Sequence, residues 1–136
     1  MLPVTLTFAG AAALINIWLA IRVVQIRRSG KVLHGDGENR LLLCRMRAQA
    51  NFIEYTPFVL ILMGLLELAG EPKPWLRAIG YLYIAARLAH PFGMDSAKPH
   101  PLRLVGALVT WLVLVVLALW AIWVGAHPPA ETIHYL

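Results

Sequence analysis

An all-α fold, an antiparallel bundle of four membrane-embedded helices, is what three observations on this chain of 136 residues predict. The composition is 60% hydrophobic and only 14% charged, with a mean hydropathy of +0.68. That is more apolar surface than a domain this short can bury from water. The apolar residues come in runs of membrane-spanning length, about 20 residues each. Short polar connections rich in Gly and Pro separate the runs.

Span one is expected over roughly 3 to 26. It lacks the basic flank of a signal peptide and, at about 24 residues, exceeds the length of a signal h-region, so it is expected to be retained in the mature protein. The polar connection that follows, around Ser29 to Asn39, carries Gly30, Gly35 and Gly37. Span two is expected over 44 to 69, and Gly70-Glu71-Pro72-Lys73-Pro74 then makes a tight turn. Span three, 74 to 92, is the shortest and least apolar. The third connection, Gly93 to Pro101, contains Asp95, Lys98 and Pro99, and span four runs over 103 to 125. With no internal repeat, the whole of 1–136 reads as one transmembrane domain. Small residues at Ala9 to Ala13 and at Ala85, Ala86 and Ala89 allow close helix approach.

The net charge of +5 is dispersed over the short connections and does not form one soluble basic face, so nucleic acid is not an expected partner. Connections one and three hold Arg27, Arg28, Lys31, Arg40, Lys98 and Arg103, against Lys73 and Arg77 at the other end. By the positive-inside bias, connections one and three face the cytoplasm and both termini lie outside. Trp75, Trp120 and Trp123 fall near span ends on that outer side, as interfacial anchors do; Trp18 and Trp111 fit less neatly. A single cysteine, Cys44, excludes an internal disulfide and a cysteine-based metal site, and no His, Asp or Glu cluster has metal-ligand spacing.

Within span two, helical spacing puts Arg47, Asn51, Glu54 and Phe58 on one stripe, with Arg45 and Gln49 to the other side. Tyr83, Arg87, His90 and Met94 share a stripe on span three. A central charge facing lipid costs roughly 2.5 to 3.5 kcal/mol on insertion scales, so Arg47, Glu54 and Arg87 are expected to face protein, water or one another. One reading is a structural ion pair of Glu54 with Arg47 or Arg87, which only fixes packing. The other is a polar ligand site, in which arginines clamp carboxylates while Glu54 and Asn51 hold an ammonium and amides. A zwitterionic, peptide-like ligand suits that mixture.

The segment Arg47-Ala48-Gln49-Ala50-Asn51-Phe52-Ile53-Glu54-Tyr55-Thr56-Pro57 resembles the R-A-[HQ]-x-N-x-x-E-x-x-P signature of membrane-associated proteins in eicosanoid and glutathione metabolism, the MAPEG family. Arg87-Leu88-Ala89-His90 resembles the family's third-helix element, and His34-Gly35-Asp36-Gly37 the glycine-rich first loop of its bacterial members. The resemblance implies a homotrimer in a bacterial inner membrane that binds glutathione between subunits near the cytoplasmic face. Arg47, Asn51, Glu54 and Tyr55 would contact glutathione, joined by Arg87 and His90 and by Arg27 or Arg28 from the first helix. Arg103 would stabilise the glutathione thiolate for transfer to a hydrophobic electrophile drawn from the lipid, or for reduction of a peroxide.

Met94, Leu104 and Ala107 depart from the pattern where eicosanoid-forming members carry hydroxyl groups, which argues against prostaglandin isomerase chemistry. A non-catalytic scaffold, or a glutathione-binding protein without transferase activity, is the alternative. A four-helix drug exporter is disfavoured because span one has no acidic residue. Cys44 is expected to be a packing residue, Tyr81 and Tyr83 to pack or sit at the interface, and Glu67 to be wetted beside the outer turn. Arg45 is expected to reach toward the cytoplasmic surface. His100, His127 and His134 read as ordinary loop or tail histidines.

Overall fold

The computed structural model describes residues 1–127, and these form four helices: α1 (Pro3–Gly30), α2 (Arg40–Leu68), α3 (Lys73–Asp95) and α4 (Pro101–Ala126). His134 lies outside the described residues. Each helix runs past the expected span, because polar connecting residues continue the same backbone until a stop signal intervenes. Lys31 ends α1 in the left-handed conformation, its N–H returning to the carbonyls of Arg27 and Arg28. Asn39 starts α2 by accepting from Leu42 N at 3.0 Å, as N-cap asparagines do. His100 starts α4 in the same way, its Nδ1 accepting from Leu102 N at 3.2 Å. Prolines open α1, α3 and α4, where a missing N–H costs nothing.

Three of the helices, α1, α2 and α4, are long and apolar enough to cross a membrane. The third is less apolar than expected of a lone span, because its polar groups turn inward: Tyr83, Arg87 and His90 are buried, while Tyr81, Leu82, Leu88 and Phe92 face outward. Such a helix is shielded by its neighbours and not by its own composition. Leu6, Leu14, Ile17, Ile61, Leu65, Leu112, Leu119 and Ile122 are among many large apolar residues exposed on the outside, as a lipid-facing surface requires.

Helices α2 and α3 form the central pair: both touch α1 and α4, whereas α1 and α4 do not meet. One core cluster joins all four helices through Val4, Phe8, Val59, Met63, Leu66, Leu76, Tyr83, Val113 and Leu117. A second, of Ala12, Ile15, Leu19 and Phe52, binds α1 to α2 in the other half of the bundle.

At the end near the N-terminus the structure corrects the reading of Glu67. Its side chain is buried, with 6% of the residue exposed, and its carboxylate accepts from Val4 N at 2.9 Å, Thr5 N at 2.8 Å and Thr5 Oγ1 at 2.8 Å. The free N–H groups that begin α1 need acceptors, and an anion there also complements the helix dipole. Glu67 therefore ties the start of α1 to the end of α2. Nearby, Trp120 Nε1 donates to Glu71 Oε2 at 2.9 Å, linking α4 to the turn. Trp75 and Trp123 at this end are exposed, as anchors would be.

The opposite, basic end is closed by ion pairs. Arg22 Nη2 lies 2.5 Å and Arg45 Nη2 3.3 Å from Asp95 Oδ2, and Arg45 Nη1 also donates to Arg22 O at 2.9 Å. Arg45 does not stretch toward a membrane surface; a partly dry carboxylate within reach holds it inside. Trp18 and Phe92 rings flank the Arg22 guanidinium at 4.9 and 5.6 Å.

Candidate functional site

The clamp on Asp95 decides where the chain goes next. Arg40 Nη1 takes Ser96 O at 3.1 Å and Nη2 takes Asp95 O at 3.3 Å, so the connection from α3 to α4 is drawn over the start of α2. Two glycines then bring α4 against α3. The backbone of Arg103 rests directly on Gly93, and a Cβ at Gly106 would stand 2.7 Å from His90 Cβ. No other residue allows that approach, and it sets Arg103 beside the end of α3.

Between these elements lies an open cavity of about 800 Å³ at the basic end. Arg40, Cys44, Arg47 and Asn51 of α2 line one side, His90 and Met94 of α3 another, and residues 96–100 the floor. Arg103, Leu104, Ala107 and Trp111 of α4 complete it. Its cationic side chains are Arg40, Arg47, Lys98 and Arg103, and among the described residues no carboxylate lines it. The starts of α2 and α4 lie at this end together with the ends of α1 and α3, so the helix dipoles largely offset one another and the positive potential comes from the side chains. Such a lining favours an anion over a cation electrostatically.

Behind the cavity wall runs a buried polar layer. Arg87 is fully buried and donates through Nη1 to Asn51 Oδ1 at 2.9 Å and to Thr110 Oγ1 at 3.3 Å. The Phe52 ring lies 5.3 Å from its guanidinium carbon. Thr110 gives its own hydrogen to Gly106 O at 2.8 Å. One turn away, Thr56 donates to Phe52 O and is 2.6 Å from Tyr83 Oη, so the tyrosine is the donor in that pair. Tyr83 is thus a core residue with its hydroxyl satisfied, as buried tyrosines require.

The structure gathers Arg47, Asn51, His90 and Arg103 at one cavity. Arg87 stands one layer behind it. Glu54 is exposed and Tyr55 half-buried, further along α2 and outside the cavity lining. Neither Arg27 nor Arg28 reaches it: Arg27 donates to Met46 Sδ at 3.4 Å and lies 3.5 Å from Leu33 O, while Arg28 is exposed. Cys44 packs in the cavity wall with Arg40 Nη1 at 4.0 Å. Sequence reasoning missed Arg40, Arg22 and Asp95 as parts of the site's framework. An arginine such as Arg22 inside an apolar run was the available signal, since its guanidinium needs polar partners away from lipid.

A helical membrane protein with a basic cavity at one end of its bundle is the class that fold and site define. The MAPEG family model matches residues 5–123, and the chain belongs to that family. It is also similar to the inner membrane protein YecN of Escherichia coli strain K12, with 29% identity over 120 residues, covering 88% of this chain and 91% of that protein. The YecN of Escherichia coli O6:H1 strain CFT073 matches to the same extent.

Proposed function

We propose that the basic cavity binds glutathione in a bacterial inner membrane, with the α1–α2 and α3–α4 connections cytoplasmic and both termini periplasmic. The observation that carries this reading is the cavity itself, with cations at Arg40, Arg47, Lys98 and Arg103, no lining carboxylate among the described residues, and an apolar wall of Leu104, Ala107 and Trp111. Glutathione carries two carboxylates, one ammonium and a thiol, and so is a net anion at neutral pH. Paired N–H donors of Arg47 suit a carboxylate, while Arg40, whose guanidinium holds the Asp95 and Ser96 carbonyls, contributes charge. Glu54, exposed near the middle of α2, is left for the ammonium or for a neighbouring subunit. A homotrimer with glutathione at the subunit boundary would bring Glu54, Tyr55 and the first-helix Arg27 or Arg28 of adjacent chains toward the same ligand.

Transfer follows from the same arrangement. The Arg103 guanidinium, facing the cavity next to the apolar wall, would favour the thiolate over the thiol by charge and hydrogen bonding. With an aryl halide, the thiolate forms the S–C bond, halide departs with the electron pair of the broken C–halogen bond, and the thiol proton passes to solvent. Leu104 and Trp111 of the apolar wall are also exposed on the outside of α4, a route by which an electrophile would enter from the bilayer; a lipid hydroperoxide is the corresponding peroxidase substrate. Met94, Leu104 and Ala107 line the cavity without a hydroxyl, which favours a second reading, binding of glutathione without transfer.

Calorimetric titration of the detergent-solubilised protein with glutathione tests the binding claim, with Arg47→Ala expected to weaken it strongly. No heat of binding with wild type sinks the proposal. Conjugation of glutathione to a hydrophobic aryl halide, wild type against Arg103→Ala, then separates the transferase from the binder. Unchanged turnover in Arg103→Ala removes Arg103 from the chemistry.

A further inference from the structure

We infer that Arg87 is a positioning residue that fixes Asn51 as a hydrogen-bond donor to the cavity, so that the ligand group seated against Asn51 is a carboxylate or an amide carbonyl and not an ammonium. The inference rests on the glutathione reading of the cavity. A guanidinium has five N–H donors and no acceptor. The Asn51 atom 2.9 Å from Arg87 Nη1 must then be the oxygen, Oδ1. The opposite amide atom is then Nδ2, which makes none of the hydrogen bonds among the described residues and belongs to a side chain that lines the cavity.

Arg87 is itself held against turning. Thr110 has spent its only hydrogen on Gly106 O, so it meets Arg87 as an acceptor, and the Phe52 ring covers the guanidinium. Arg87 is fully buried in this position. Among the described residues its charge is also uncompensated: both ion pairs there belong to Asp95, and Arg87 Nε and Nη2 have no partner among them. A cation bonded to Oδ1 polarises the amide and strengthens its N–H groups as donors. An anionic acceptor on the cavity side of Asn51 gains from both effects, and an ammonium there would be repelled.

The test compares Asn51→Asp, Asn51→Ala, Arg87→Lys and Arg87→Gln in the full-length protein in detergent, by thermal unfolding and by glutathione titration. Asn51→Asp keeps an acceptor toward Arg87 but presents a second carboxylate oxygen to the cavity. It is expected to melt at or above wild type and above Asn51→Ala, while losing at least tenfold in glutathione affinity. Arg87→Gln, whose amide permits either orientation of Asn51, is expected to lose affinity and to abolish the thermal advantage of Asn51→Asp over Asn51→Ala. Arg87→Lys, which keeps a donor, is expected to recover part of the affinity. Glutathione binding by Asn51→Asp within twofold of wild type, or melting of Asn51→Asp at or below Asn51→Ala, overturns the inference. The Asn51 variants alone decide it if Arg87→Gln yields no folded protein. Should wild type bind no glutathione, the ligand reading falls and the thermal order still decides the orientation of Asn51.

Discussion

Arg22 and Asp95, on α1 and at the last residue of α3, meet with Nη2 2.5 Å from Oδ2, and Arg45 of α2 joins the same oxygen at 3.3 Å. Three helices are thereby pinned together at one carboxylate. Removing one member leaves the others charged and partly dry, which costs more than the pair's net contribution. Asp95→Ala is expected to lower stability by about 2–4 kcal/mol, with Asp95→Asn milder. Thermal unfolding in detergent checks it, and unchanged melting would mean that water already satisfies both arginines.

Glu67 predicts a second stability effect at the opposite end. Glu67→Ala strands Val4 N, Thr5 N and the Thr5 hydroxyl, and each buried unsatisfied group costs about 1–3 kcal/mol. Because the first turn of α1 can fray into water, the expected loss is nearer 2–3 kcal/mol in total. Glu67→Gln keeps one acceptor oxygen and should lose about half as much. Melting curves of the two variants give the order.

Gly106 links packing to binding. Gly106→Ala drives a methyl into His90 and the Ala86 carbonyl, and overpacking of this kind costs about 1–3 kcal/mol. Since α4 must move away from α3, Arg103 shifts with it, and glutathione affinity should fall as well. Gly125→Ala is the control, as nothing lies within 4 Å of that position. It is expected to stabilise slightly through helix propensity.

Arg47 and ionic strength probe the cavity's charge. A charge-assisted hydrogen bond contributes about 1.5–3 kcal/mol, so Arg47→Ala is expected to weaken glutathione binding about tenfold to a hundredfold. Raising salt should weaken wild-type binding as well, because the cavity is open and its cations are screened over about 10 Å at 0.1 M. Salt-independent affinity would place the anion away from these side chains.

Four helices and their order were legible because lipid forces long apolar runs and leaves turns as the only polar breaks. The Arg47–Asn51 pairing at one cavity was legible for a similar reason, as a polar stripe on an apolar helix has to face something. Arg87 was readable as a buried polar residue, but its place behind Asn51 was not, since helical spacing orders residues around one axis and says nothing of depth between two. Asp95 looked like a loop residue because the helix continues past the apolar run, and its partners, 73 and 50 positions away, have no local sequence signal. Glu67 was misread for the same reason: the N–H groups it satisfies belong to the far end of the chain.

The grip of Arg40 on the α3–α4 connection falls on the carbonyl oxygens of Asp95 and Ser96, groups that every amino acid possesses. Side chains at 96–99 can therefore be exchanged without cutting that anchor. The floor of the cavity is free to drift in chemistry while the frame around it stays in place, so a chain of this design can acquire a new ligand preference without first having to refold.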